Sequence, residues 1–130
     1  MAKNIVGVVA GLAVWMIVAT VAGVIMRVSW PAYASVANAM TFTLPMMIAR
    51  LSIGALATIV MGTITAVIAQ SVVARLMPGI LMLLLFIPQH MMLWEKFPIW
   101  YHLTFLLSLI PLTWAGTYFA GCKPNSSVAA

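Results

Sequence analysis

Residues Ile5–Met26 read IVGVVAGLAVWMIVATVAGVIM, 22 positions without a charged side chain. At about 1.5 Å of rise per residue the stretch makes a helix of about 33 Å, and the hydrocarbon core of a bilayer is about 30 Å thick. Lys3 and Arg27 bracket it, where their charges reach the headgroups. A cleaved signal peptide is the rival reading, with Lys3 as the basic region and small residues around Ala19 to Gly23. Signal cores run only about 7–15 residues, so the stretch is read as a first spanning helix.

Three more apolar stretches follow. Segment two runs from about Pro45 to Ala69, with Pro45 suited to a first helical turn and Arg50 about one turn further in. Segment three covers about 74–94, with a Leu- and Met-rich body from Gly79 to Trp94. Arg75 and the Pro78-Gly79 pair mark a connection, so this segment crosses fully only with residues before Pro78, tilt or local thinning. Segment four covers about 98–120 and contains Pro111; Glu95-Lys96-Phe97-Pro98 is the turn before it. Residues 27–44 form the longest break, read as a loop or short interfacial helix with belt residues Trp30 and Tyr33 and no binding motif. The expected fold is all-α, a transmembrane bundle of four helices with both termini on one side. Residues 1–122 make a single domain and 123–130 a flexible polar tail.

Composition agrees with this reading. Charged residues make up 5% of the chain and mean hydropathy is +1.19, where soluble domains carry about a quarter charged residues. Six basic residues stand against one acid, Glu95, for a net charge of +5. Lys3, Arg27, Arg50, Arg75, Lys96 and Lys123 fall about one per segment boundary, whereas nucleic-acid binders cluster them on one face. Nucleic acid is thereby excluded and the lipid bilayer is the expected partner. The lone Cys122 excludes an internal disulfide, a CxxC pair and a thiolate cage. The positive-inside count ties, with Lys3, Arg75 and Lys123 on the terminal side and Arg27, Arg50 and Lys96 on the other. Discounting Arg50, which lies inside a helix, turns the termini toward the cytoplasm.

Small residues recur at four-residue steps in the first two segments. Gly7, Gly11, Ala19 and Gly23 mark segment one, with Trp15 filling the gap; Gly54, Thr58, Gly62 and Ala66 mark segment two. Lipid offers no hydrophobic drive between helices, so close van der Waals approach through such stripes holds them together. The stripes are expected to pack on each other, with a second copy of the chain as the alternative. In segment four, Tyr101, Thr104, Ser108, Pro111, Ala115 and Tyr118 share a face. Ser108 is placed to help satisfy the Leu107 carbonyl that Pro111 leaves unbonded; with Arg50, the polar members Tyr101, Thr104 and Ser108 form a candidate track for solute.

His90 and His102 lie on opposite arms of one hairpin, each six residues from Lys96, and therefore at similar depth. Equal depth suits a shared metal or haem, but two histidines do not complete a structural zinc site. No cofactor is expected. Catalysis is not expected either. No acid lies in a span, as proton-exchanging drug exporters need, and no cysteine pair is present, as quinone-linked thiol enzymes need. Both histidines sit near helix ends, away from the depth that an intramembrane Ser–His dyad requires.

Trp100-Tyr101, a Leu-rich run, Pro111 and Thr113-Trp114-Ala115-Gly116 follow a Gly-rich first helix and a Gly/Ala/Thr second one. In these features the whole chain resembles small bacterial membrane proteins of about this length, a four-helix family of unknown function. The resemblance implies the fold and a bacterial plasma (inner) membrane, but no activity. Some members carry an acid where this chain has Thr104, so no site transfers. The expected role is a non-enzymatic scaffold or accessory subunit, acting on itself or on another membrane protein. The alternatives are a small oligomeric transporter or channel and a haem or metal binder through His90 and His102.

Overall fold

A computed structural model describes residues 1–121. Cys122 and the tail 123–130 lie outside them. Five helices follow in order: α1 Ala2–Ser29, α2 Pro31–Ala37, α3 Leu44–Ile68, α4 Val72–Met92 and α5 Ile99–Phe119. There is no strand among the described residues. The four long helices are each long and apolar enough to cross a membrane, and the protein is membrane-embedded. Their outward side chains, such as Ile17, Val21, Leu56, Leu84 and Leu107, are exposed because lipid rather than water solvates them.

Local chemistry sets the boundaries. Trp30 leaves helical geometry and Pro31, whose fixed φ suits a first turn, starts α2. Pro45 occupies the first turn of α3, which ends where Ala69 becomes extended. Ser71 caps α4 by accepting a hydrogen bond from the Ala74 amide at 3.2 Å. Helix α4 therefore begins before Arg75 and runs through Pro78 and Pro88, and the connection is Ala69-Gln70-Ser71. This corrects the expected break at Arg75 to Gly79. Buried neighbours around Pro78 hold the helix together where an amide is missing. The expected role of Ser108 is also corrected, because its hydroxyl donates to the Phe105 carbonyl at 2.8 Å and not to Leu107.

Helix α3 is central, flanked by α1 and α5; α4 packs mainly on α5. Its small residues divide between the two neighbours. At the α1 seam, Gly7 meets Ala69 and Thr65, Gly11 meets Thr65 and Met61, and Trp15 Nε1 donates to Thr58 Oγ1 at 3.1 Å. At the α5 seam, Gly62 lies on the Thr113 backbone and Gly116 on Ile59 and Thr63. Thr63 Oγ1 stands 2.9 Å from the Ile59 carbonyl and 3.0 Å from that of Gly116, so one hydroxyl proton serves both helices. Gly54 faces Phe105 of α5. The expectation that the whole Gly54–Ala66 stripe faces segment one is thus corrected: Gly54 and Gly62 belong to the α5 seam. Gly23 has no neighbour within 4 Å, Ala19 packs beside the Trp15 cluster, and Ala66 is buried near the terminal end.

Candidate functional site

At the end of the bundle away from the N-terminus, five elements line a half-open cavity of about 280 Å³. Trp15, Ala19, Gly23 and Met26 come from α1, Tyr33 from α2, Arg50 and Gly54 from α3, Phe86, Gln89 and His90 from α4, and Tyr101 and Phe105 from α5. Six aromatic side chains, Trp15, Tyr33, Phe86, Phe97, Tyr101 and Phe105, stand in its wall. Tyr33, Phe42, Phe97 and Tyr101 form a continuous stack with centroid separations of 5.1, 5.8 and 4.5 Å. The hairpin turn carries Phe97, and the loop between α2 and α3 carries Phe42, so two connections complete a structure that no helix makes alone.

Arg50 bridges the ends of that stack. Its Nη1 donates to the Tyr33 hydroxyl at 2.6 Å and its Nε to the Tyr101 hydroxyl at 3.3 Å. The guanidinium carbon lies 4.7 Å from the Phe42 centroid and 6.0 Å from that of Phe97, within cation–π range. Four rings and two hydroxyls therefore hold one cation inside the bundle, about 9 Å from the start of its helix at 1.5 Å per residue. The sole acidic side chain, Glu95, is exposed in the hairpin turn and is not among these partners. A guanidinium has five N–H donors; the tyrosines take two, leaving three for other acceptors.

A second aromatic wall runs Trp15–Phe86–Phe105–His90, with centroids 5.4, 5.0 and 4.9 Å apart. Behind it lies the histidine pair. His90 Nδ1 and His102 Nδ1 are 2.7 Å apart, and His102 Nε2 is 3.4 Å from the Trp94 carbonyl oxygen. His102 is fully buried and stacks on the Trp94 ring at 4.9 Å, while His90 keeps 8% exposure and lines the cavity. Two nitrogens bound tetrahedrally to one ion at about 2.0–2.1 Å would stand about 3.3 Å apart, and trans haem ligands about 4 Å apart. At 2.7 Å the facing nitrogens bond each other directly, so the pair does not fit an ion between them. Among the described residues no group of three His, Cys, Asp or Glu converges on a metal position.

Of the four residues of the expected track, the structure brings Arg50 and Tyr101 together. Thr104 is exposed on the outer face of α5, and half-buried Ser108 bonds its own helix, so neither lines the cavity. That correction follows from helix rotation: the inward face of α5 carries His102, Leu109, Thr113 and Gly116 instead. Sequence reading missed Tyr33 and Phe42, which sit in the segment assigned no binding motif. The available signal was the aromatic residues in the 27–44 segment, just ahead of the helix that carries Arg50.

Comparison with known proteins returns no match: no family pattern, no curated protein and no solved structure.

Proposed function

We propose that this chain is a non-catalytic binding protein of the membrane that holds a small amphipathic anion at Arg50. The observation that carries the reading is a cation in a cavity rich in aromatic rings with no carboxylate beside it among the described residues. A charge at membrane depth costs about 3 kcal/mol on insertion scales. Tyrosine hydroxyls and ring faces offset part of that, while an anion 4 Å away contributes about 4 kcal/mol at an effective dielectric of 20. Aromatic walls favour a ligand whose remaining body is apolar. The volume is near the lower limit of small-molecule pockets, about 300 Å³, so it suits a single-ring or short-chain acid rather than a whole phospholipid.

Such a protein serves as an accessory subunit that presents or stores its ligand, with no bond made or broken. A small carrier is the second reading, favoured by one observation: a crevice lined by Lys3, Asn4, Ser71 and Arg75 opens at the opposite end of the bundle. We place the protein in a bacterial plasma membrane with cytoplasmic termini. With Arg50 held inside the bundle, the remaining bases in the sequence favour the terminal side, Lys3, Arg75 and Lys123 against Arg27 and Lys96.

The test is equilibrium dialysis of the protein, purified in an uncharged maltoside, against 3-phenylpropionate, its amide and the matching amine. The acid is expected to bind saturably at one site, the amide and amine at least tenfold more weakly. Arg50→Met should weaken acid binding by about thirtyfold or more, the lower range for losing a partner of a buried charge pair. Equal binding of the three compounds, or an unaffected variant, would refute the reading.

A further inference from the structure

The histidine pair has one protonation pattern that its surroundings allow when both rings are neutral. A carbonyl oxygen only accepts hydrogen bonds, so the contact from His102 Nε2 to the Trp94 carbonyl puts the His102 proton on Nε2. His102 Nδ1 is then a bare lone pair. The other nitrogen in the 2.7 Å contact, His90 Nδ1, must donate to it. Each neutral imidazole carries one N–H, so His90 Nε2 is left unprotonated on a ring that lines the cavity. A chain of three groups, exposed Trp94 and buried His102 and His90, thereby fixes one acceptor on a ring that lines the same cavity as Arg50. Tyr101 touches both ends of the cavity, bonding Arg50 through its hydroxyl and lying 6.2 Å from the His90 ring, nearly parallel to it.

We infer that the ligand is a hydroxylated aromatic acid, whose carboxylate pairs with Arg50 and whose hydroxyl donates to His90 Nε2. This rests on the anion reading above and extends it. The two sites demand opposite things: the guanidinium presents only donors, and His90 Nε2 presents only a lone pair. A ligand that carries an acceptor group and a donor group on one apolar body satisfies both. A ring between them fits a cavity walled by Trp15, Phe86, Phe105 and Tyr101. His90 here is a specificity residue, and His102 a positioning residue that acts through it.

The experiment compares 3-phenylpropionate with its ortho-, meta- and para-hydroxy derivatives and with the methyl ether of the tightest one, on the protein in uncharged detergent. One hydroxy isomer is expected to bind about tenfold tighter than the parent acid, as a hydrogen bond to a buried acceptor contributes. Its methyl ether, which cannot donate, should lose that gain, and so should the hydroxy acid on His90→Phe. The ¹⁵N spectrum of the histidine-labelled wild-type protein should show one ring protonated at Nδ1 and the other at Nε2. Parent binding without any hydroxyl gain, an ether that binds equally well, a gain that survives His90→Phe, or two rings both protonated at Nε2 would each overturn the assignment to His90 while leaving the anion site standing. Failure of the parent acid itself to bind would instead remove the anion reading. Should His90→Phe not fold, the ether comparison and the wild-type spectrum decide.

Discussion

Replacing Gly62 by alanine tests the packing that supports the cavity. A Cβ at Gly62 would overlap the Thr113 carbonyl oxygen and stand 3.0 Å from that residue's carbonyl carbon and Cα. All three atoms are backbone of α5, so no side-chain rotation relieves the overlap. The helices must part by about 0.5–1 Å, a gap that forfeits about a quarter to a half of each dispersion contact along the seam. Overpacking of this kind costs about 1–3 kcal/mol, and the gain in helix propensity over glycine returns about 1. The expected net is a loss of up to about 2 kcal/mol. Gly23→Ala is the control. It meets nothing within 4 Å, so the propensity gain stands alone, up to about 1 kcal/mol of stabilisation. The propensity term is common to both, so the two variants should differ by the overpacking cost, about 1–3 kcal/mol, in unfolding by sodium dodecyl sulfate, followed by far-ultraviolet circular dichroism from mixed micelles. Gly116→Ala, whose Cβ would meet Ile59 and Thr63 at the same seam, should add little to Gly62→Ala, because the first substitution has already opened the gap. Equal unfolding of Gly62→Ala and Gly23→Ala would refute the argument that backbone contact between α3 and α5 holds the bundle.

Trp15→Phe removes the indole donor to Thr58 while keeping a ring against Phe86, and should cost about 1 kcal/mol in the same assay. Thr65 Oγ1 is buried with no hydrogen-bond partner, so Thr65→Val, nearly equal in shape, should leave stability unchanged or raise it by about 1 kcal/mol. Arg50→Met, besides weakening acid binding, should not weaken the fold, since an apolar side chain of similar length replaces a cation that no carboxylate pairs; a drop in stability above about 2 kcal/mol would show Arg50 to be a structural strut instead.

The candidate site was legible in part. Arg50 stood out because a charge inside an apolar helix is costly, and Tyr101, His90 and His102 because their chemistry is rare in such a chain. Their grouping was not legible. A four-residue spacing puts Gly54, Thr58 and Gly62 on a common side of α3, but that side is a wedge between two helices, and spacing does not say which residue meets α1 and which α5. Thr104 and Ser108 share a helical repeat with Tyr101, yet the rotation of α5 turns Thr104 outward. Tyr33 and Phe42 lie outside any periodic pattern, and their meeting with Arg50 depends on how a short helix and a loop fold back over the bundle.

Four long runs of apolar side chains, interrupted where prolines and polar pairs end a helix, decide by themselves that the chain is helical and lies in lipid. That outcome is local: each run satisfies its own backbone hydrogen bonds and needs no partner to prefer the bilayer. Which side chains face one another is a property of helix rotation, depth and crossing. Those depend on contacts between residues far apart in the chain, such as Gly62 on Thr113, Trp15 on Thr58 and Arg50 between Tyr33 and Tyr101. Only the assembled bundle brings one arginine, one histidine and six aromatic rings from separate elements around a single cavity.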